Sequence, residues 1–580
     1  MSLSPNTLRQ YPQSSHLLPV ARRCLVLAAA AGLCLSGCER RHPPSDRTEA
    51  TAASGSAEAP AIASPATIPS SPSPAPKDAG PPPPHQGPWL TIIAPSAAVY
   101  TKPKAERDDK IGYVQSGARL AVNTTTQKGD GCRQRWLEVV GGGYICEQYG
   151  TLDDNDRRIK FTLRRPDLNQ ILPYTYARNA KNGTPLYRTV PTREQMQEYE
   201  PYLRPKDEKA NVDDSTSAGP ASRSTRDATA PRRSNDLDAG SVSARVEAGA
   251  RTLGDAAGPS DSLLDASAPD DTPWWQREDI QDRLHEVKLS DLQQDSDDIL
   301  ALRMVKGFYV AVDKTFHWNG RTWYKTTKGL VAPADRMGIA SASDFVGIAL
   351  GAERHLPIGW VYGGRNETTT YSIGPDQSAP KAVGVVKRFV ALPLTGKTIE
   401  RGKTQYSEQL DGTWVKTRYV RTTNPGPPPE GIGEKEPWID INLTSQTLVV
   451  FRGREPVYAT LVSTGKKSKI KEKDHSTPTG KWRIREKHLT TTMDGDGTAA
   501  GDLPYSIEDV PYVMYFYRSY AVHGAFWHRN YGVQMSHGCV NLSPLDAKKV
   551  FMLTWPDLPA DWHGIWSSED RPGSWVVIHD

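Results

Sequence analysis

Ser536-His537-Gly538-Cys539-Val540-Asn541, preceded by His523-Gly524, is the stretch from which this 580-residue chain is read outward. A thiolate is the nucleophile for acyl transfer, and a free cysteine is mostly protonated at neutral pH. A neighbouring imidazole can take the thiol proton or hold the ion pair. His537 is two residues from Cys539, so on an extended segment both point to one face. His523 sits across a loop, on a segment able to pair alongside. Gly538 permits an unusual backbone turn in which successive N–H groups converge on one oxygen, as in a backbone oxyanion hole. A lone cysteine is usually a core residue; the combination is far more specific than its parts.

The segment around this stretch reads as β structure from about Glu436 to Asp580. Trp438-Ile439-Asp440-Ile441-Asn442-Leu443, Thr447-Leu448-Val449-Val450-Phe451 and Val457-Tyr458-Ala459-Thr460-Leu461-Val462 are joined by short polar links and predict an antiparallel meander. Ser463-Thr464-Gly465 closes it, and Ser476-Thr477-Pro478-Thr479-Gly480 leads into Lys481-Trp482-Arg483-Ile484.

On these residues the last quarter of the chain resembles the L,D-transpeptidase (YkuD-like) family. The resemblance implies Cys539 as nucleophile and His523 as general base. It implies backbone N–H groups of His537, Gly538 and Cys539 in the oxyanion hole, with Ser536 and Asn541 shaping the site. The family's third catalytic group follows the first histidine, where this chain has Gly524, which offers only its backbone. The stretch from Glu486 to Tyr515 is implied to be a flap, with Met493, Tyr505 and Trp527 candidates to touch substrate or simply to pack. The implied substrates are peptidoglycan stem peptides, with another stem, water or an envelope protein as acyl acceptor. The reading from another class is a non-catalytic wall-binding lipoprotein. A zinc site would need more ligands than accompany Cys539, so no metal or cofactor is expected.

Upstream, Arg22-Arg23 precede an apolar run from Cys24 to Leu35, the length of a signal-peptide core and short for a membrane span. It ends in Leu35-Ser36-Gly37-Cys38, which resembles a bacterial lipoprotein signal. That implies cleavage before Cys38, lipidation of Cys38, a membrane contact through the anchor, and the periplasmic face of the outer membrane. An ordinary signal peptide cut near Gly37 is the alternative. Of six cysteines, two would leave with the leader and one would be the anchor. Cys132 and Cys146 can form a disulfide, suited to an oxidising compartment, which leaves Cys539 as the free thiol.

The expected fold is mainly β and multi-domain, with SH3-like barrel modules before the catalytic domain and disordered linkers between. The expected boundaries are 1–37 signal peptide, 38–88 Pro/Ala/Ser-rich linker and 89–150 SH3-like β domain. Then come 151–204, an accessory segment packing on that domain, and 205–272, a disordered insert. Further β modules occupy 273–425 and the catalytic domain 436–580. With 71 basic and 67 acidic residues, the net charge of +4 is too even to suggest nucleic acid. No dense Lys/Arg block stands out.

Overall fold

The computed structural model describes residues 85–203 and 274–580, apart from 278, 295, 363–365, 377–378 and 496–503. The expected leader, Cys38, most of the first linker and the 205–272 insert lie outside the described residues.

The first module runs from Trp89–Ile92 to Gly150–Thr151. Trp89–Ile92 pairs with both Arg119–Gln127 and Gly150–Thr151, while Ser96–Tyr100 pairs with Lys110–Gln115 and Tyr144–Cys146. The alternating pattern turns Ala97 and Val99 inward, where they meet Leu90, Val114, Leu120, Val122 and Ile145. A disulfide joins Cys132 to Cys146. This core is shared: Trp562 from the far end of the chain lies inside it. A Cβ on Gly112 would stand 2.3 Å from the Trp562 ring, so glycine is what lets the indole in.

The second module corrects the expected boundaries. Thr175–Asn179 pairs with Tyr309–Trp318 and Met337–Ile339; Thr184–Tyr187 pairs with Leu300–Met304. The expected accessory segment therefore supplies two strands of a unit completed from beyond residue 299. Unpaired strand edges need partners, and these edges find theirs across the 204–273 gap. The core of the unit joins Ala177 and Leu186 to Met304, Phe308, Val310 and Ala332. A third β unit follows, from Ile358–Val361 to Val420–Thr422.

The C-terminal domain is a two-sheet sandwich. Pro437–Asn442 lies between antiparallel Thr447–Arg452 and parallel Trp575–His579, and Glu455–Leu461 and Gly480–Arg483 extend the sheet. The meander is as expected. The second sheet contains Glu486–Gly495, Tyr505–Tyr517, Tyr520–Gly524, Val540–Leu542 and Gly564–Trp566. Ile439, Ile441, Leu448 and Val450 meet Met514, Phe516, Val522, Val540 and Leu542 between the sheets. The helix Pro544–Leu553 adds Ala547, Val550 and Phe551 to this core. Ser543 caps its first turn, accepting from the Asp546 N–H at 3.1 Å. At the other end the buried Lys487 Nζ donates to the carbonyls of Phe551 (2.7 Å) and Thr554 (2.6 Å).

The outer faces of both sheets are also covered. Trp438, Val449 and Leu461 pack against Phe345, Trp360 and Tyr531. The second module packs on the other sheet: Tyr176 and Tyr309 meet Ile507, Val510 and Phe526. That double burial explains why Pro437–Asn442 is buried at every position despite its alternating sequence.

Candidate active site

Tyr520–Gly524 and Val540–Leu542 run parallel, with Val522 opposite Val540 and His523 opposite Asn541. The valines point into the inter-sheet core. By the two-residue alternation of a strand, His523, Cys539 and Asn541 project together on the opposite face. Cys539 packs against the cluster containing Val513, Ala521 and Phe526, as do Met493, Tyr505, Tyr515 and Trp527.

The loop before Cys539 is fixed from beneath. Ser463 and Asn541 exchange backbone hydrogen bonds of 2.9 Å, and the N–H groups of Met535 and Ser536 donate to Thr464 O. Thr477 Oγ1 donates to Gly538 O at 2.7 Å and accepts from the Gly465 N–H at 2.9 Å. The Ser-Thr-Gly and Thr-Pro-Thr-Gly turns thus brace the loop before Cys539. Gly538 has φ +119°, and a Cβ there would lie 2.4 Å from the Tyr520 ring. Both facts demand glycine.

Ser536 Oγ donates to Cys539 O at 2.5 Å and accepts from the Gly538 N–H at 3.1 Å. One of the three N–H groups expected to line the oxyanion hole is therefore already engaged. This corrects the role of Gly538 in the resting site to conformation rather than open donation. His537 is exposed. Its ring stacks on Tyr505 at 5.8 Å between centroids and meets His475 edge-on at 4.9 Å. It does not share the inward face of Cys539, because the left-handed turn at Gly538 breaks the strand alternation.

His523 is 2 % exposed. Its Nδ1 lies 3.2 Å from Gly524 O, and its ring stacks on Trp527 with centroids 5.7 Å apart. Nδ1 as donor to that carbonyl leaves the lone pair on Nε2. Burial drives the imidazole pKa down to about 4, against a smaller opposing pull from the Gly524 carbonyl. Burial pushes the Cys539 thiol up to about 11, partly offset by a hydrogen bond from the Ala521 backbone. With these values the resting proton stays on sulfur. Both shifts favour a neutral thiol and a neutral imidazole at rest.

Tyr505 and Trp527 both pack: Tyr505 joins Cys539 at the edge of one cluster, and Trp527 stacks on the His523 ring. Met493 stands opposite Ile507 in the hairpin formed by Glu486–Gly495 and Tyr505–Tyr517. Asn541 Nδ2 lies 3.0 Å from Nε2 of His528, a residue that sequence reasoning missed. Burial lowers the His528 pKa to about 4, so its ring is neutral and can accept from Asn541. Also missed were His475 and the lysine run Lys466-Lys467-Ser468-Lys469-Ile470-Lys471. The expectation that no dense basic block exists fails at this one loop. Among the described residues, no group of His, Cys, Asp or Glu is placed to hold a metal ion.

Residues 436–577 match the family model of the YkuD L,D-transpeptidase catalytic domain. Among solved structures, a cysteine-to-serine mutant of Enterococcus faecium L,D-transpeptidase is 20% identical with a TM-score of 0.19, covering 25% of this chain and 50% of that one. The L,D-transpeptidase of Xylanimonas cellulosilytica is 20% identical with a TM-score of 0.18, covering 27% and 64%. That of Mycobacterium smegmatis is 20% identical with a TM-score of 0.20, covering 41% and 95%. The chain thus spans about half of the first of these and under two thirds of the second. No curated protein matches the chain. The mainly β C-terminal domain of this chain, over residues 436–577, is matched by the YkuD family of L,D-transpeptidase catalytic domains.

Proposed function

We propose that the chain is a peptidoglycan L,D-transpeptidase. What supports this reading is the parallel pairing that sets His523 opposite Asn541, two residues after Cys539, so that strand alternation turns all three to one face. His523 is turned by Gly524 O so that Nε2 is the basic atom.

Cys539 Sγ attacks the amide carbonyl between the diamino acid's L-centre and terminal D-alanine of a tetrapeptide stem. The thiol proton passes to His523 Nε2 as the C–S bond forms. Backbone N–H groups of the His537–Cys539 turn receive the carbonyl oxygen as it becomes negative. The Gly538 N–H joins them by exchanging Ser536 Oγ for that oxygen. The C–N bond breaks, and the nitrogen takes the proton from the imidazolium as D-alanine leaves. An amine of a second stem then attacks the thioester. It gives its proton to His523 and, as the C–S bond breaks, the sulfur recovers a proton. The product is an amide cross-link between two stems.

The Gly524 carbonyl fills the orienting place that a third side chain would take. Export as a lipoprotein anchored through Cys38 fits a wall substrate, and we read the N-terminal β modules as its wall-facing part.

The test is mass spectrometry of the full chain and of wall fragments after incubation with tetrapeptide stems. We expect a Cys539-borne acyl adduct, loss of D-alanine and a cross-linked dimer. Neither adduct nor D-alanine release in the wild type, or undiminished release by Cys539→Ala, would overturn the reading. Hydrolysed stems or a protein adduct in place of dimers would instead reassign the acceptor to water or to an envelope protein.

A further inference from the structure

The segment 466–475 carries five lysines (466, 467, 469, 471 and 473) against two acidic residues, Glu472 and Asp474. All five lysines are exposed. The segment is a closed loop pinched at its base. The His475 N–H donates to Lys466 O at 2.9 Å. Asp474 ties the interior, its Oδ1 accepting from Ser476 Oγ (2.5 Å) and from the N–H groups of Ser468 (3.3 Å) and Ser476 (3.2 Å). Asp474 is thus tied within the loop, where the Ser476 hydroxyl and, more weakly, the Lys467 charge lower its carboxyl pKa, and the lysines still outnumber the acids five to two.

That base rests on the nucleophile loop. Gly465 bridges to Ser536, and the Lys466 N–H donates to Ser536 O at 3.0 Å. The His475 ring sits against His537, whose other neighbour is Tyr505 on the Glu486–Tyr517 hairpin. Three rings therefore run from the hairpin, past the residues flanking Cys539, to the lysine loop. On the transpeptidase reading, the hairpin side and the lysine side of Cys539 offer separate approaches for two reactants.

We infer that loop 466–475 is the acceptor subsite, recognising the free carboxylates of the incoming stem peptide. This rests on the transpeptidase reading above and names the chemistry that its second half-reaction would select. A cluster of ammonium groups on a loop tied to Ser536 raises the local concentration of an anionic acceptor and loses that effect in salt.

The experiment compares two acceptor peptides, identical except that one has its carboxylates converted to amides. Each is tested with the full-length wild type and with K467Q/K469Q/K471Q/K473Q. At low salt the wild type should favour the acidic acceptor by about tenfold in apparent KM, as several weak exposed contacts acting together allow. The variant, or the wild type at high salt, should lose that preference. A preference that survives in the variant, or none in the wild type, overturns the inference. Titrating the same two peptides onto the resting enzyme reads the loop independently of turnover. Absence of a Cys539 adduct therefore condemns the transpeptidase reading and not the subsite. A glycerol-phosphate oligomer that binds more tightly than the acidic peptide, and only to the wild type, would assign the loop to a phosphate polyanion and sink the acceptor assignment.

Discussion

The Nδ1 of His523 stands 3.2 Å from the carbonyl oxygen of the very next residue, Gly524. A backbone carbonyl cannot be protonated in the working pH range or removed by substitution. It therefore fixes the imidazole tautomer without adding a charge beside it. That is compatible with the low imidazole pKa, since a carboxylate in its place would raise it.

The pH dependence of acylation follows from this pair. With the imidazole near 4 and the thiol near 11, the reactive neutral pair dominates between. Single-turnover acylation should be flat from about pH 5 to 9, with an acid limb near 4. A rate rising tenfold per pH unit through neutrality would show instead that a minor thiolate reacts. His523→Gln should slow acylation by about a hundredfold or more.

The same histidine makes the fold acid-sensitive. An unfolded imidazole binds a proton as pH falls below about 6.5, whereas the buried one resists until about 4. Stability is thus complete above that upper value and is lost as pH falls through the window, by about 3 kcal/mol for His523 alone.

Glu508 acts in the opposite sense. It is buried where the second module meets the hairpin, with Oε2 accepting from the Ala311 N–H at 2.9 Å. Burial raises its pKa to about 7 from the ordinary 4.5. The folded carboxyl keeps its proton where the unfolded one has lost it, so its contribution is present below 4.5 and disappears as pH rises to 7. Glu508→Gln should gain on the wild type across that window, by up to about 3 kcal/mol in denaturant-unfolding experiments. A pH-independent difference would contradict the assignment.

Gly538→Ala should abolish D-alanine release while leaving the global fold recognisable by circular dichroism. The added methyl meets the Tyr520 ring at 2.4 Å and the backbone sits at φ +119°. Strain of this kind costs about 1–3 kcal/mol, enough to displace a loop without unfolding a domain. Tyr520→Ala in the same chain relieves the contact but not the dihedral, so it should not restore activity.

On the proposal that Cys38 carries the lipid anchor, Cys38→Ala should move the protein from the membrane fraction to the soluble fraction of cell extracts, since stable anchoring needs acyl chains. Continued membrane association would refute the anchor.

The nucleophile loop was legible because its chemistry is contiguous: Ser536, Gly538 and Cys539 interact with one another over three residues. The meander was legible because alternation survives in Ile439 and Ile441. What could not be read is what the fold brings together from a distance. Thr175–Asn179 gave no sign that its partner strand was Tyr309–Trp318, since pairing leaves no mark on either sequence. The partnership of His528 with Asn541 joins a loop to a strand by a single contact. The lysine run was visible but diluted by an even overall charge. Its position at the nucleophile loop depends on the bridge between Gly465 and Ser536.

Trp562 inside the first module, with Gly564–Trp566 pairing against Lys110–Gln115, also sets an order of assembly. A chain made from its N-terminus presents the first module long before its indole plug exists. Until residue 562 has arrived, that module carries an open, greasy socket and a free strand edge. Final closure must wait for nearly the whole chain to emerge. A half-delivered polypeptide then has neither a finished first module nor a finished cysteine site, and truncation near the end would be felt at the beginning.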